Sequence, residues 1–281
     1  MNAVTEEKQL QGLLNGVDIP PSPSVLVALD AELKKDSPDQ REIARLISMD
    51  VALSGCVMAI ANSPAFSSGH KLASIMQAMN VLGTQQVFNL VVVHLLKLAL
   101  ASDRDASMDR FWETSARTAM VSAELAKRLR CVKPDVAYTF SLFHDCGIPL
   151  ILKRFPKARE VLAAANAAED RMFTDVEDEM LGTNHAVVGY FLAKRWHLAD
   201  FIAEGVLYHH DYSVLVDPDR ASQTARALIA VCVLAEHIIR LHDSGNGELE
   251  WAKAAEPACA FFKLSLGAVD DLIEDMRDWL G

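Results

Sequence analysis

Strand signals are nearly absent from this 281-residue sequence, because few β-branched runs alternate with polar residues. A sheet-based fold is therefore not expected. Cysteine is scarce: Cys56, Cys131, Cys146, Cys232 and Cys259 are odd in number, scattered, and form no C-x-x-C pair. That pattern excludes a disulfide framework and a zinc ribbon and points to a reducing compartment. Basic charge is also short, since 27 Lys and Arg stand against 38 Asp and Glu for a net charge of −11. With no Lys/Arg-rich run to offset the surplus, a phosphate backbone would be repelled, and nucleic acid is not an expected partner. Long apolar runs are missing too. The most apolar segment, VFNLVVVHLLKLALA, is interrupted by Asn89, His94 and Lys97 and is too short to span a bilayer, so no membrane is expected. The N-terminal MNAVTEEKQLQGLL places acids before a short apolar patch, the wrong order for a secretory signal, and the expected location is the cytoplasm. Neither a G-x-S-x-G elbow, a G-x-x-x-x-G-K-[ST] loop nor a G-x-G-x-x-G turn occurs.

Helical periodicity is what the chain does have. Val87, Leu90, Val91, Leu95 and Leu98 recur on one helical stripe. Ser37-Pro38-Asp39-Gln40 offers an N-cap, a proline at the first helical position and a capping-box partner. Ser74 with Gln77 and Thr174 with Glu177 repeat the capping-box spacing, and Gly83 supplies a C-terminal stop. The expectation is an all-α fold of ten or more helices. Two polar seams, residues 102–109 and 212–222, are too short for flexible linkers and predict packed subdomains. The C-terminal GAVDDLIEDMRDWLG gathers Val269, Leu272, Ile273, Met276, Trp279 and Leu280 on one side, predicting a helix that packs on its own domain.

The chemistry-bearing residues centre on SLFHDCGIPL, residues 141–150. His144 and Asp145 lie side by side where a helix should end, before Gly147 and Pro149. Neighbours on a continuous helix point about 100° apart, so a frayed end makes it easier for them to share one ion. Imidazole and carboxylate both suit a divalent transition metal; a local hydrogen bond is the other reading. Glu236 shares an apolar stripe with Ile229, Cys232 and Ile239, a costly place for a carboxylate unless it is paired or bound. His185 lies on one face with Val188, Gly189, Leu192 and Trp196, and His209 follows Ile202 and Val206 in the same way, with His210 and Asp211 next. Each histidine taken singly reads as a core or margin residue; together they form a set. His94 reads as core, and Cys146 as a small buried residue rather than a nucleophile.

Three segments, VDIPPSPSVLVAL, IARLISMDVALSGCVMAIANSPAF and SIMQAMNVLGTQQVFNLVV, resemble the start of the HDOD family, the HD-related output domain of bacterial signalling proteins. FWETSARTAMVSAELAKRL, AYTFSLFHDCGIPLIL and NHAVVGYFLAKRWHLADFIAEGVLYHHD resemble its second half. The resemblance covers about residues 17–215. It implies an HD-like helical domain (106–215) preceded by an N-terminal helical bundle (17–105), with residues 216–281 as C-terminal helices completing the HD-like part.

HD enzymes take ligands from a helix histidine, the HD pair and a later aspartate. By resemblance, Thr114 stands at the first position, His144 and Asp145 keep the pair, and Glu236 aligns with the aspartate. Ile148 stands where the phosphodiesterase branch often has lysine, and His185 and His209 resemble that branch's further metal-binding histidines. Thr114 and Ile148 are thus degenerate positions: a hydroxyl replaces an imidazole, and an apolar side chain replaces a phosphate-handling charge. The implied cofactor is a divalent metal (Mn, Fe, Mg or Zn) or none. The implied function is a regulatory signal-transduction domain without catalysis, acting through a signalling protein partner or a nucleotide ligand. The alternative is a divalent-metal phosphohydrolase acting on a nucleotide or cyclic nucleotide.

Overall fold

A computed structural model describes residues 12–63, 71–100, 106–244 and 249–280. Among them the ordered elements are helices, with no strand. His70, Pro64 to Phe66 at the end of the segment IARLISMDVALSGCVMAIANSPAF, and residues 102–105 of the first seam lie outside the described residues. The chain divides into two compact units, one formed by Pro20–Trp112 with Arg195–Leu198, the other by the remainder.

The first of these begins with α1 (Ser24–Leu33), α2 (Gln40–Ser48), α3 (Val51–Ala61), α4 (Ile75–Leu82) and α5 (Thr84–Leu100). Apolar stripes build its core: Leu26 and Leu29, Ile43 and Ile47, Leu53 and Val57, Ala78 and Met79, and Val87, Leu90 and Val91 are all buried. The predicted α5 stripe holds through Leu95, but Leu98 emerges into solvent at 55% exposure. Helix starts depart from the sequence reading at α2. Asp39, not Ser37, is the N-cap, its carboxylate accepting from the Arg41 N–H, and Pro38 precedes the helix rather than opening it. A carboxylate cap adds favourable charge at the helix N-terminus, which a serine hydroxyl does not. Ser74 caps α4 as expected, and Gly83 ends it with φ +88°. Asn62, at the end of α3, bonds both backbone groups of Leu72, just ahead of α4. Trp196 is fully buried in this unit, with its indole N–H on the Pro20 carbonyl.

The other unit carries the rest of α6 (Ala106–Leu129), then α7 (Pro134–Phe143), α8 (Ile148–Arg154), α9 (Ala158–Asn166), α10 (Phe173–Leu181), α11 (His185–Arg195) and α12 (Asp200–Tyr208). A 3-10 turn, Tyr212–Leu215, precedes α13 (Gln223–Ser244), α14 (Leu249–Phe262) and α15 (Leu266–Leu280). The second seam is therefore ordered, with Tyr212, Val214 and Leu215 buried. Helix α13 forms the unit's spine, packing on α7, α12, α14 and α15. Its Leu228, Ile229, Val231, Cys232, Ala235 and Ile238 are buried. The terminal helix packs on this same unit through Val269, Ile273 and Met276, as its stripe predicts. Thr174 is not a cap. Helix α10 opens at Phe173, after Met172, and Glu177 is fully buried and turned to another task.

Candidate metal centre

Helix α7 ends at Phe143, and His144 and Asp145 occupy the tight turn before α8, where the helix was expected to fray. The turn is pressed against α11. A Cβ on Gly147 would lie 2.0 Å from the His185 carbonyl oxygen and 2.9 Å from the Gly189 amide nitrogen, distances no side chain tolerates. A Cβ on Gly189 would in turn lie 2.8 Å from Val206 of α12 and 3.2 Å from the Cys146 sulfur. Two glycines thus let three chain segments approach until their histidines share one space.

Three imidazole Nε2 atoms converge on Asp145. Those of His185 and His209 each lie 3.3 Å from its Oδ1, and that of His144 lies 3.3 Å from its Oδ2. Glu236 on α13 adds an oxygen 3.0 Å from His144 Nε2. The opposite ring nitrogens are all engaged. His144 Nδ1 donates to the Ser141 carbonyl at 2.8 Å, and His209 Nδ1 donates to the Val206 carbonyl at 2.7 Å. His185 Nδ1 meets the buried Glu177 carboxylate at 2.5 Å, and its backbone N–H donates to the same oxygen. Those contacts place a proton on each Nδ1, so that each Nε2 faces inward and offers a lone pair there whenever its ring is neutral, the arrangement that orients metal-binding histidines. His185 Nε2 and His209 Nε2 are only 3.0 Å apart. Two lone pairs at that distance repel unless a cation, a proton or a metal ion, lies with them.

The electrostatics favour a cation in this space, and a proton on the rings fills that role. Burial disfavours charge on Asp145, but His144, His185 and His209 outweigh it and hold the carboxyl well below the usual range. Burial likewise opposes charge on His185, yet Glu177 and Asp145 push its pKa to about 10. His144 is raised well above its ordinary value by Asp145 and Cys232 against the same opposition. His209 goes the other way, lowered by burial and by the neighbouring His185 charge.

Donor atoms fall into two adjoining groups, Asp145 with His185, His209 and His210, and His144 with Cys232 and Glu236, each within 4.8 Å of one another. Compact N/O/S donor sets of this kind suit a divalent transition metal. The first-named sequence candidates, His144, Asp145, His185, His209 and Glu236, are therefore together. Three further residues, His210, Glu177 and Cys232, are not among the sequence candidates for the site. His210 bonds Glu250 through Nδ1 at 3.1 Å, and Tyr212 and Lys253 bond the same carboxylate. Glu177 was visible only as a capping partner, and Cys232 only as a stripe residue. The degenerate positions are less central. Thr114 is exposed and makes no described contact to the cluster, while Ser115, Thr118 and Ser122 on the same helix are buried. The Ser122 hydroxyl meets that of Ser141 at 2.8 Å, and Ser141 in turn holds His144. Ile148 is half-buried at the start of α8. Cys146 is buried, with a thiol that burial pushes well up, which suits a core residue and not a nucleophile.

Comparison with known proteins agrees with this architecture. A protein from Geobacter sulfurreducens, an HDOD domain protein with unknown function, is 25% identical, with a TM-score of 0.66, over 99% of this chain and 95% of that one. A candidate phosphohydrolase from Shewanella amazonensis SB2B shares the fold at a TM-score of 0.67 and 24% identity, over 94% of this chain and 93% of its own. An uncharacterized protein of Treponema pallidum (strain Nichols) is 25% identical over 253 residues. That match covers 88% of this chain and 46% of the relative, so the chain spans under half of that protein's length. Residues 19–212 match the model of the HDOD domain, and the chain belongs to the HDOD family.

Proposed function

We propose that this chain is a regulatory HDOD domain of a bacterial signalling system whose helices are organised around a divalent-metal centre, and that it signals through a protein partner without turning over a phosphoester. The observation that carries the metal half is the pair of inward Nε2 atoms of His185 and His209, 3.0 Å apart with both Nδ1 atoms already engaged. Asp145, His185, His209 and His210 would hold the ion, with His144, Cys232 and Glu236 flanking it. A bound divalent ion supplies positive charge and Lewis acidity. The protein's own part is orientation: Glu177, Ser141 and Val206 fix the three rings, and Asp145 stays ionised between them.

The regulatory half rests on what accompanies that cluster. Among the described residues, no lysine or arginine is hydrogen-bonded or ion-paired to His144, Asp145, His185 or His209. Ile148 puts an aliphatic side chain directly after the turn. Developing negative charge on a phosphoryl group would find no lysine or arginine bonded to those four residues, and Lys253, which reaches the cluster through Glu250 and His210, is already paired. The second reading, a metal-dependent phosphohydrolase, is favoured by a different observation: the Asp145 and Glu236 side chains are 26% and 32% exposed, so the cluster has an open side.

Metal analysis after purification without added metal, followed by assay of bis-p-nitrophenyl phosphate with manganese, separates the two. The expected result is bound metal that is lost in Asp145→Ala and His209→Ala, with no turnover. Turnover abolished by those substitutions would establish the phosphohydrolase instead, and a metal-free protein that takes up none on titration would overturn both.

A further inference from the structure

In the unit that holds the metal centre, a separate pocket of about 620 Å³ opens between the end of α6, the 3-10 turn, the start of α13 and the end of α14. Arg130 and Arg226 are its charged side chains, and no carboxylate lines it. In a chain of net charge −11, two cations without an acid between them are a local reversal of sign.

Neither guanidinium is neutralised. Arg130 is exposed and has no hydrogen-bond or ion-pair partner among the described residues; its backbone is held at φ +52°. Arg226 donates one Nη2 bond to the Leu215 carbonyl at 2.7 Å and lies over the Phe261 ring at 5.3 Å, while its buried Nε has no partner. A buried guanidinium N–H left unpaired is costly unless an acceptor visits it. The Cys131 thiol, kept protonated by burial, adds no negative charge. The rest of the wall includes the aromatic side chains of Phe261 and Phe262, and Gln223.

We infer that this pocket binds a small phosphate-bearing molecule, with the anion held between Arg130 and Arg226 and a planar apolar part lying against Phe261 and Phe262. Arginine forks match phosphate oxygens bidentately, and the free Nε of Arg226 is the donor such an oxygen would satisfy. The volume is that of an ordinary small-molecule site. The metal cluster is not required, because none of its donors lines this pocket. The two sites are nonetheless close in sequence. The Leu215 carbonyl that Arg226 holds ends the 3-10 turn that follows His209 and His210, and α13 carries both Arg226 and Glu236.

Calorimetric titration with adenosine 5′-monophosphate and, separately, inorganic phosphate, both in EDTA, tests the inference. Expected are one nucleotide per chain, weakening as salt rises, binding tighter than inorganic phosphate, and roughly fivefold or greater loss of affinity in Arg130→Gln. Arg130 is exposed, so that variant should fold. Arg226→Lys, which keeps the charge but loses Nε, provides a second reading and should weaken binding similarly. No saturable binding at millimolar nucleotide, affinity no better than that of inorganic phosphate, or indifference to both substitutions would overturn the inference. Nucleotide binding that appears only with metal present would overturn it as well, by assigning the ligand to the metal centre.

Discussion

At His185 the ring is gripped from one side by a buried carboxylate and faces Asp145 and His209 on the other. Removing the charge of Glu177 while keeping its shape should therefore loosen the ring's orientation and lower its basicity. Glu177→Gln is expected to reduce metal affinity by about 10- to 100-fold with the helical content intact, measured by competition with a chromophoric chelator. Sequence alone pointed Glu177 at a capping box, because i to i+3 spacing is a local signal and the partner lies eight residues on, across a turn. Thr114 was placed by resemblance and turns out exposed. Thr114→His is accordingly expected to leave metal affinity unchanged in the same competition. His94 tests the opposite kind of histidine. Burial lowers its pKa, Asp50 works against that and Lys97 with it, and its Nε2 is buried without a partner. Such a ring is neutral in the fold but takes up a proton more readily when unfolded. Its contribution to stability is complete above the unfolded value near 6.5 and is lost as pH falls through the lower folded value. His94→Leu should flatten that acid-side loss in urea melts at pH 7 and pH 5; an unchanged slope would mean that other groups cause it.

Two glycines decide how the elements meet. Gly147 lets the turn after α7 lie on the His185 backbone, and Gly189 admits Val206 and Cys146 beside α11. A methyl at Gly147 collides with backbone, which cannot swing aside as a side chain would. Gly147→Ala is expected to cost more than about 3 kcal/mol in chemical denaturation, and to abolish metal uptake in whatever folds. An effect below about 1 kcal/mol would show that α11 can retreat without penalty. The helices themselves were legible, because stripes such as Ile43 with Ile47 and Val87 with Leu90 and Val91 follow from periodicity and burial. Helix starts were legible only where a single side chain settles them, as Ser74 does for α4. Where Ser37 and Asp39 compete, the carboxylate wins on charge, and nothing in the spacing says so.

Across the whole molecule, the candidate metal cluster is assembled from pieces as much as 92 residues apart in sequence. His144 and Glu236 are 92 positions apart in sequence, and His209 lies 64 from Asp145. Hydrophobic pattern marked each piece as buried-side, but no local pattern joins them, which is why the donors could be named one by one and their convergence could not. The family match ends at residue 212, before α13, whose Glu236 and Cys232 flank the centre and whose apolar face packs on α7 and α12. The helices beyond the matched region therefore belong to the structural unit that holds the site. A chain truncated after Leu215 would expose the buried surfaces of α7 and α12 and lose two donors. It is expected to bind the hydrophobic dye ANS, to lose a cooperative thermal transition, and to retain no stoichiometric metal. If residues 1–215 instead melt cooperatively and hold one metal per chain, then α13 supplies neither the packing nor the donors that the centre needs. The sites on α13 would in that case be accessory to a domain complete without them.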